Sequence, residues 1–312
     1  MRFVTIGECM MELRQADDGR LMPGFAGDAL NSAFYARRTL PSTWTIEFLT
    51  AFGIDRVSQQ MRASIAAMGI ETSGSATIPD RQAGLYMIHL DKGERSFSYW
   101  RSQSAARLLA RDRSRFCDAL SNADIILFSG ITLAILEGDD ADFLLEHLSA
   151  LRRSGITVAF DPNIRANLWP DRARMRDMIM RAAHAASIIL PSFDDEAAHF
   201  ADPDVAATVR RYRDCGASMV VVKNGGDGVR LSTQDQDIAV PAHAVANVVD
   251  STGAGDSFNG IFLARLAIGD RPVDAARRAA LGASIVIQHH GALIQDFADV
   301  PTGSAATAAE AF

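Results

Sequence analysis

The sequence predicts an α/β fold with a central, mainly parallel β-sheet flanked by helices. Short apolar runs rich in β-branched residues recur about 30 residues apart, the size of one strand–helix–strand unit. Each run is apolar throughout, as expected for strands that are buried on both faces. Segments with helical spacing separate the runs, so helices should cover both sides of the sheet. The predicted strands are residues 124–128, 156–160, 187–190 and 219–222.

The N-terminal third contains a helix and an inserted hairpin. Asp55 and Gly69 suit the N-cap and the C-cap of a helix whose apolar face includes Met61 and Ile65. Residues 84–100 alternate around a turn, which predicts an antiparallel hairpin. Its aromatic residues suit either the edge of a sheet or a flap over a site, and the pattern alone does not separate these two interpretations.

Two longer helices are predicted between the later strands. Phe143, Leu144, Leu148 and Leu151 have helical spacing and are followed by Gly155 as a stop. A second helix is predicted around residues 175–183, which show the same spacing. Together with the strands, these helices complete the alternating pattern of an α/β chain.

Charge argues against a nucleic-acid partner. The chain has 312 residues, with 31 Lys and Arg against 38 Asp and Glu, and a net charge of −7. Nucleic-acid binding needs a clustered basic face, so we expect none. Lysine occurs only at Lys92, at the predicted hairpin tip, and at Lys223, which ends a predicted strand. An active-site lysine must therefore be one of these two.

The sequence also predicts a cytoplasmic protein without membrane contact. The longest apolar run, residues 123–136, is interrupted by polar residues and predicts a strand and a turn rather than a membrane span. Glu8 interrupts the N-terminal segment where a signal peptide would be apolar. Cys9, Cys117 and Cys215 are far apart and form no Cys-x-x-Cys pair, which fits neither a disulfide framework nor a zinc site.

Polar segments follow three of the predicted strands. They are residues 161–165, 191–196 and 223–228. Each of them alone suits capping and turn formation. Because ligands bind beyond the carboxyl ends of parallel strands, all three at one rim predict a binding site.

The most specific motif is residues 250–260, Asp-Ser-Thr-Gly-Ala-Gly-Asp-Ser-Phe-Asn-Gly, directly before an apolar helix. A Gly/Ala run that opens a helix directs free N–H groups and the positive end of the helix dipole at an anion, above all phosphate. The dinucleotide fingerprint would need glycine at Phe258, and neither lysine is followed by Ser or Thr as in a P-loop.

Asp256 distinguishes this segment from a simple phosphate-binding turn. A carboxylate there repels stored phosphate, but it suits phosphoryl transfer, which needs a base on the acceptor hydroxyl beside donors for the transferring group. With an ordinary pKa of about 3.9, Asp256 is expected to be ionised at neutral pH. A second glycine-rich stretch, residues 24–33, also opens a helix, and its Asn31 suits either a cap or a contact to a polar ligand.

Together these two segments resemble the signatures of the ribokinase-like, or PfkB, carbohydrate kinases. Residues 250–256 carry the second signature intact, and the resemblance extends from Phe3 to Pro301. Within that family, residues 7–12, 93–101 and 160–169 resemble the kinases of 2-keto-3-deoxygluconate.

The resemblance implies a ribokinase-like fold as a single kinase domain over residues 1–301, with a frayed tail at residues 302–312. A small β-sheet lid would include the hairpin at residues 84–101, which favours the flap interpretation. Such a lid often forms a dimer interface, so we expect a homodimer or a higher homo-oligomer.

The resemblance also implies roles for individual residues. Asp256 would be the catalytic base, and the anion hole for the γ-phosphoryl group would be Gly253, Ala254 and Gly255. Sugar contacts fall on Gly27, Asp28, Ala29, Leu30, Asn31, Tyr86, Tyr99, Arg101 and Arg165. ATP contacts fall on Asn163, Ile164, Arg165, Lys223, Asn224, Gly225, Gly226, Asp227 and Gly228, and on the anion hole with Asp256.

The expected cofactors are ATP and Mg²⁺, but one motif departs from the family pattern. Many members carry Asn-x-x-Glu, which is linked to magnesium and phosphate, whereas the corresponding residues here run from Ser192 to Asp195. A carboxylate is kept at Asp195, with Glu196 beside it. Which of these two acids assists Mg²⁺ stays open.

The resemblance implies ATP-dependent phosphorylation of 2-keto-3-deoxygluconate at its terminal hydroxyl. This substrate carries a carboxylate, which Arg101 and Arg165 suit because a guanidinium binds it through two parallel hydrogen bonds. The alternatives are a kinase of fructose, ribose or the galactonate epimer, and a catalytically silent sugar sensor. The intact Asp256 motif argues against the sensor.

Overall fold

The computed structural model describes residues 1–16, 18–91 and 94–298. The strands are β1 (Arg2–Ile6), β2 (Met10–Gln15), β3 (Leu21–Ala26), β4 (Thr45–Leu49), β5 (Ala51–Phe52), β6 (Ala76–Thr77), β7 (Gly84–Asp91), β8 (Glu94–Trp100), β9 (Ile125–Ser129), β10 (Thr157–Asp161), β11 (Ile188–Ile189), β12 (Met219–Lys223), β13 (Val229–Thr233) and β14 (Asp237–Val240). The α-helices are α1 (Asp28–Thr39), α2 (Arg56–Ala67), α3 (Arg113–Leu120), α4 (Gly130–Ile135), α5 (Asp140–Arg153), α6 (Arg172–Ala185), α7 (Phe193–Phe200), α8 (Val205–Asp214), α9 (Ala254–Ala267) and α10 (Pro272–Val286). The predictions for Lys92 and for the tail at residues 302–312 lie outside the described residues.

The main sheet has eight strands in the order β14-β13-β12-β11-β10-β9-β1-β4. Strands β4, β1 and β9 to β12 are parallel, while β13 and β14 add two antiparallel pairings at one edge. The predicted strands correspond to β9, β10, β11 and β12. The predicted mainly parallel sheet is therefore confirmed.

Helices cover both faces of this sheet. Along β9, Ile126 and Phe128 face one buried cluster, which α3, α5, α6 and α8 complete. Ile125 and Leu127 face the other, which α1, α2, α9 and α10 complete. Each buried side chain of this size contributes about 1.5–3 kcal/mol relative to exposure. The absence of polar alternation in the predicted strands is explained by these two cores.

The predicted helices are present, and one predicted turn is wrong. Asp55 caps α2, because its carboxylate accepts hydrogen bonds from the backbone N–H groups of Val57 (2.9 Å) and Ser58 (3.1 Å). Helices α5 and α6 cover the two segments with helical spacing. After β9, however, the chain forms α4 instead of a turn, since Ser129 and Thr132 build a capping box that starts a helix.

A separate small sheet contains the strands β3-β2-β7-β8 in that order, and we call it the small sheet. The predicted hairpin forms its antiparallel β7–β8 pair. Strands β2 and β3 were not predicted, because β2 mixes charged and apolar residues and β3 contains Pro23, which is tolerated at a sheet edge. Among the described residues, no helix is long and apolar enough to cross a membrane.

Candidate active site

Two pockets adjoin at the carboxyl end of the main sheet. The small-sheet pocket, of about 640 Å³, lies between the small sheet and the start of α1. The loop pocket, of about 820 Å³, lies between residues 225–229, residues 242–248 and α10. Residues lining both pockets are Arg165, Ser192, Asp195, Lys223, Ser251 and Gly255. The N-terminus of α9 therefore stands where the two pockets meet.

Backbone geometry fixes the loop before α9. Gly253 has a φ of +77°, and a Cβ there would lie 2.9 Å from Ala292. The backbone conformation and the close approach each require glycine at this position. The carboxylate of Asp250 accepts hydrogen bonds from the N–H groups of Thr252 (2.9 Å) and Gly291 (2.7 Å). Because the first N–H groups of a helix have no partner within it, this loop suits an anion.

Asp256 lies in the first turn of α9 and lines the small-sheet pocket. Its Oδ2 accepts a hydrogen bond from Asn31 Nδ2 at 2.8 Å. Burial and the negative charge of Asp28 raise the pKa of Asp256 to about 7, although the bond from Asn31 and the charge of Lys223 oppose the shift. This upward shift corrects the expectation that Asp256 keeps the ordinary aspartate pKa and is fully ionised at neutral pH.

Lys223 forms a buried triangle with Asp161 and Asn259. Its Nζ donates to Asp161 Oδ2 at 2.9 Å and to Asn259 Oδ1 at 3.1 Å. Asn259 Nδ2 donates to the same Asp161 oxygen at 2.6 Å. A Cβ on Gly255 would lie 3.5 Å from the lysine Nζ, so this cation borders the anion-binding loop. Asp161 and Asn259 were not predicted as its partners, although they lie in the marked segments 161–165 and 250–260.

Aromatic side chains of the small sheet form one wall of its pocket. Tyr86 and Tyr99 are direct partners across β7 and β8, and their ring centroids are 6.0 Å apart. Phe97 stacks on Tyr99 at 6.1 Å and also lines the pocket, although it was not predicted. The period-two alternation of a strand signals it, since Phe97 and Tyr99 share a face. The Tyr86 hydroxyl donates to Glu12.

Two arginines line the small-sheet pocket. Arg101 follows β8 and forms an ion pair with the buried Glu8. Arg165 is half exposed, lines both pockets and lies 3.6 Å from Asp195, measured between Nη1 and Oδ2. For both residues, the sugar contacts that the resemblance implies stay a prediction.

Some residues for which ligand contacts were predicted have side chains that line neither pocket, or that line only one of them. The side chains of Leu30 and Ile164 are buried in the two cores and line neither pocket. Ala29 also packs in a core. Asn163 lines the small-sheet pocket instead of the loop pocket, and its Nδ2 donates to Asp28 Oδ2 at 3.1 Å.

The remaining predicted residues line the pockets or support them. Gly27, Asp28 and Asn31 line the small-sheet pocket. Ala254, Gly225, Gly226 and Gly228 line the loop pocket. Asn224 Nδ2 donates to Asp227 Oδ2 at 3.3 Å, and these two side chains hold the glycine turn rather than line the pocket.

Asp195 and Glu196 are the two acids between which the sequence leaves the magnesium role open. Only one of them lines the pockets. Glu196 is fully buried and accepts hydrogen bonds from Arg211 Nη2 (2.7 Å) and the Tyr212 hydroxyl (2.9 Å). Asp195 instead lines both pockets beside Arg165. Of these two acids, Asp195 is the one whose side chain lines the pockets.

The far end of the loop pocket is apolar. Its walls include Val229, Ala242, Phe258, Ala283 and Ile287. Such a cleft suits a flat ring system, whereas its other end reaches the anion-binding loop. The contribution of residues 242–248 and α10 was not predicted, because neither segment carries a motif that indicates a ligand.

The chain belongs to the pfkB family of carbohydrate kinases, whose model matches residues 2–296. The 2-dehydro-3-deoxygluconokinase of Haemophilus influenzae is 38% identical over 303 residues, covering 95% of this chain and 96% of that relative. A fructokinase with bound ATP from Xylella fastidiosa superimposes with a TM-score of 0.81 at 25% identity, covering 93% of both chains. A putative ribokinase II in complex with ATP and Mg²⁺ from Escherichia coli has a TM-score of 0.79 at 21% identity, covering 93% and 94%. The ribokinase-like fold and the sequence resemblance are thereby confirmed.

Proposed function

We propose that this carbohydrate kinase transfers the γ-phosphoryl group of ATP to the terminal hydroxyl of 2-keto-3-deoxy-D-gluconate, giving the 6-phosphate. The observation that carries the proposal is the meeting of two pockets at the glycine loop, with Asp256 beside it in the small-sheet pocket. The similarity to the 2-dehydro-3-deoxygluconokinase of Haemophilus influenzae supports the choice of substrate.

The small-sheet pocket suits a sugar acid. Its polar groups, among them Asp28 and Asn31, offer partners for hydroxyls, and Arg101 and Arg165 offer guanidinium groups to a carboxylate. The Tyr99 ring adds an apolar surface for the sugar's carbon chain. A neutral sugar has less use for two arginines in one pocket.

The loop pocket suits ATP. Its apolar end accepts the adenine ring, and Gly225, Gly226 and Gly228 let the phosphate chain approach the backbone. The γ-phosphoryl group then reaches the loop at Gly253, Ala254 and Gly255, where helix N–H groups favour negative charge. We place ATP in this pocket on these grounds.

Asp256 acts as the general base in this mechanism. In its ionised form it accepts the proton of the terminal hydroxyl, so that the oxygen attacks the phosphoryl group. The loop N–H groups and the Lys223 ammonium stabilise the charge that spreads over the transferring oxygens. Water exclusion under the small sheet limits wasteful hydrolysis of ATP.

Mg²⁺ fits the junction of the pockets as an ion held chiefly by phosphate oxygens. Among the described residues, no group of three or more His, Cys, Asp or Glu side chains is suited to hold a metal ion. Asp195 offers a single carboxylate at the junction, which suits an ion that keeps several waters. When bound, Mg²⁺ neutralises part of the phosphate charge.

Assembly through the small sheet stays a prediction. Leu21, Met22 and Trp100 are exposed on it, and such apolar side chains support a homodimer or a higher homo-oligomer. Light scattering after size-exclusion chromatography would measure this directly, and a monomer at micromolar concentration would contradict the prediction.

The position of the new phosphate ester tests the reaction itself. We expect ³¹P-detected NMR of the product to couple the phosphorus to the protons of the terminal carbon. Inorganic phosphate as the sole product would contradict transfer to the sugar, and an ester at another carbon would contradict the proposed site.

Arg101→Ala is expected to raise the KM for the sugar acid by about tenfold or more, because a charge-assisted contact to the carboxylate is lost. The KM for ATP should change by less than about twofold. Steady-state kinetics with each substrate varied in turn measure both values. Arg107→Ala is a matched control, since Arg107 pairs with Glu137 outside both pockets. Equal effects on the two KM values would count against the carboxylate role.

The pH dependence of kcat/KM follows from the raised pKa of Asp256. A base works only when ionised, so activity should fall as the pH drops through the pKa, with the half-maximal value near pH 7. The profile is measured for the free enzyme at limiting sugar acid. An acid limb at the ordinary aspartate value of 3.8 would show that burial does not shift this group.

A further inference from the structure

Glu8 occupies the junction between the main sheet and the small sheet. It lies between β1 and β2, where the chain first passes from one sheet to the other, and it is only 2% exposed. Its carboxylate forms an ion pair with Arg101, which directly follows β8 where the chain leaves the small sheet. One ion pair therefore ties two of the chain crossings together.

The other two crossings pack against the same residue. Gly27 follows β3, and a Cβ there would clash with the backbone oxygen of Glu8. Gly84 begins β7, and a Cβ there would lie 3.0 Å from Glu8 Oε1 and 3.3 Å from the Cβ of Arg101. All four passages between the sheets thus converge on Glu8.

The electrostatics keep Arg101 in place. Burial raises the pKa of Glu8, while the charge of the Arg101 guanidinium lowers it. A buried carboxylate that loses its cation is strongly destabilising, so Glu8 holds the guanidinium against rotation into solvent. A guanidinium has five N–H donors in a fixed fork, so it can bind a second carboxylate while it keeps the first.

We propose that Glu8 is a positioning residue that determines specificity for acidic sugars. It fixes the Arg101 guanidinium at the wall of the small-sheet pocket, so that the carboxylate of the substrate meets a donor group already oriented. The proposal rests on the proposed function, since it requires a substrate with a carboxylate.

A double-mutant cycle on Glu8 and Arg101 tests this proposal. The variants are Glu8→Gln, Arg101→Ala and the two combined, with 2-keto-3-deoxygluconate and ATP varied in turn. We expect Glu8→Gln to raise the KM for the sugar acid about tenfold and the KM for ATP less than about twofold. In the Arg101→Ala background, Glu8→Gln should change the sugar-acid KM by less than about twofold, because Glu8 acts through Arg101.

Stability measurements test the ion pair itself, while the contrast between the KM for the sugar acid and the KM for ATP separates positioning from a general structural role. Arg101→Ala alone leaves the Glu8 charge buried and unpaired, so the double variant should unfold at a higher temperature than Arg101→Ala. Glu8→Asp keeps the charge and should retain part of the sugar-acid affinity, which keeps the test available if Glu8→Gln folds poorly. Additive KM effects, or an unchanged KM in Glu8→Gln, would overturn the proposal.

Failure of the proposed function has a different signature. If the unmodified enzyme does not phosphorylate 2-keto-3-deoxygluconate, the substrate assignment is wrong. If it does so and the cycle is additive, the substrate assignment stands and the role of Glu8 is wrong.

Discussion

Asp256→Asn is expected to lower kcat by about 10²–10⁴-fold, the usual cost of removing a positioned general base. The amide keeps the size of the carboxylate, and its oxygen can still accept the hydrogen bond from Asn31. It cannot accept the proton of the substrate hydroxyl. Nucleotide binding, measured by calorimetry, should change little because the loop N–H groups are retained.

The stability of this variant gives a second readout. Burial near Asp28 disfavours the charge of Asp256 and raises its pKa, so removing that charge should leave the melting temperature equal or higher. Asp140→Asn is a matched control, since Asp140 is a buried acid that pairs with Arg111 outside both pockets. Near-normal turnover of Asp256→Asn with nucleotide bound would contradict the assignment of Asp256 as the general base.

Lys223→Met should lower both stability and turnover. It removes the cation that pairs with the buried Asp161, and breaking a buried pair in this way costs about 3–5 kcal/mol. It also removes a positive charge beside the anion-binding loop, for which we expect a loss of about 10²-fold in kcat. Because Lys223 lowers the pKa of Asp256, the acid limb of the pH profile should move to higher pH.

A compensating change separates the two effects of Lys223. Adding Asp161→Asn to Lys223→Met removes the unpaired carboxylate, so the free energy of unfolding, measured in urea, should recover. The turnover should not recover, since the cation is still missing. Recovery of both would show that Lys223 acts only through stability, and an unchanged pH limb would count against its proximity to Asp256.

Much of the fold was predictable because burial leaves a local trace in the sequence. Strands β9 to β12 lie between two cores and are therefore apolar throughout, a pattern that few other elements share. The β7–β8 hairpin was marked by its alternation and its turn. Strands β2 and β3 show no uninterrupted apolar run. In the partly buried β2, charged residues alternate with apolar ones.

The site was predictable only where one segment carries its chemistry. The glycine loop and Asp256 are contiguous in the chain, so the single motif at residues 250–256 predicted both of them. The partners of Lys223, Asp161 and Asn259, lie 62 and 36 residues away in the chain, so no local pattern indicates these contacts. The hydrogen bond from the Tyr35 hydroxyl to the carbonyl oxygen of Ala292 spans 257 residues. The Glu8–Arg101 pair likewise depends on where four chain crossings meet, which spacing does not show.

The substrate preference tests the central claim most directly. A coupled ATP-consumption assay would compare kcat/KM for 2-keto-3-deoxygluconate, its galactonate epimer, fructose and ribose under the same conditions. The account predicts that a keto-deoxy sugar acid exceeds fructose and ribose by about 10²-fold or more, because only it satisfies the arginines of the small-sheet pocket. Equal or faster phosphorylation of fructose or ribose would contradict it.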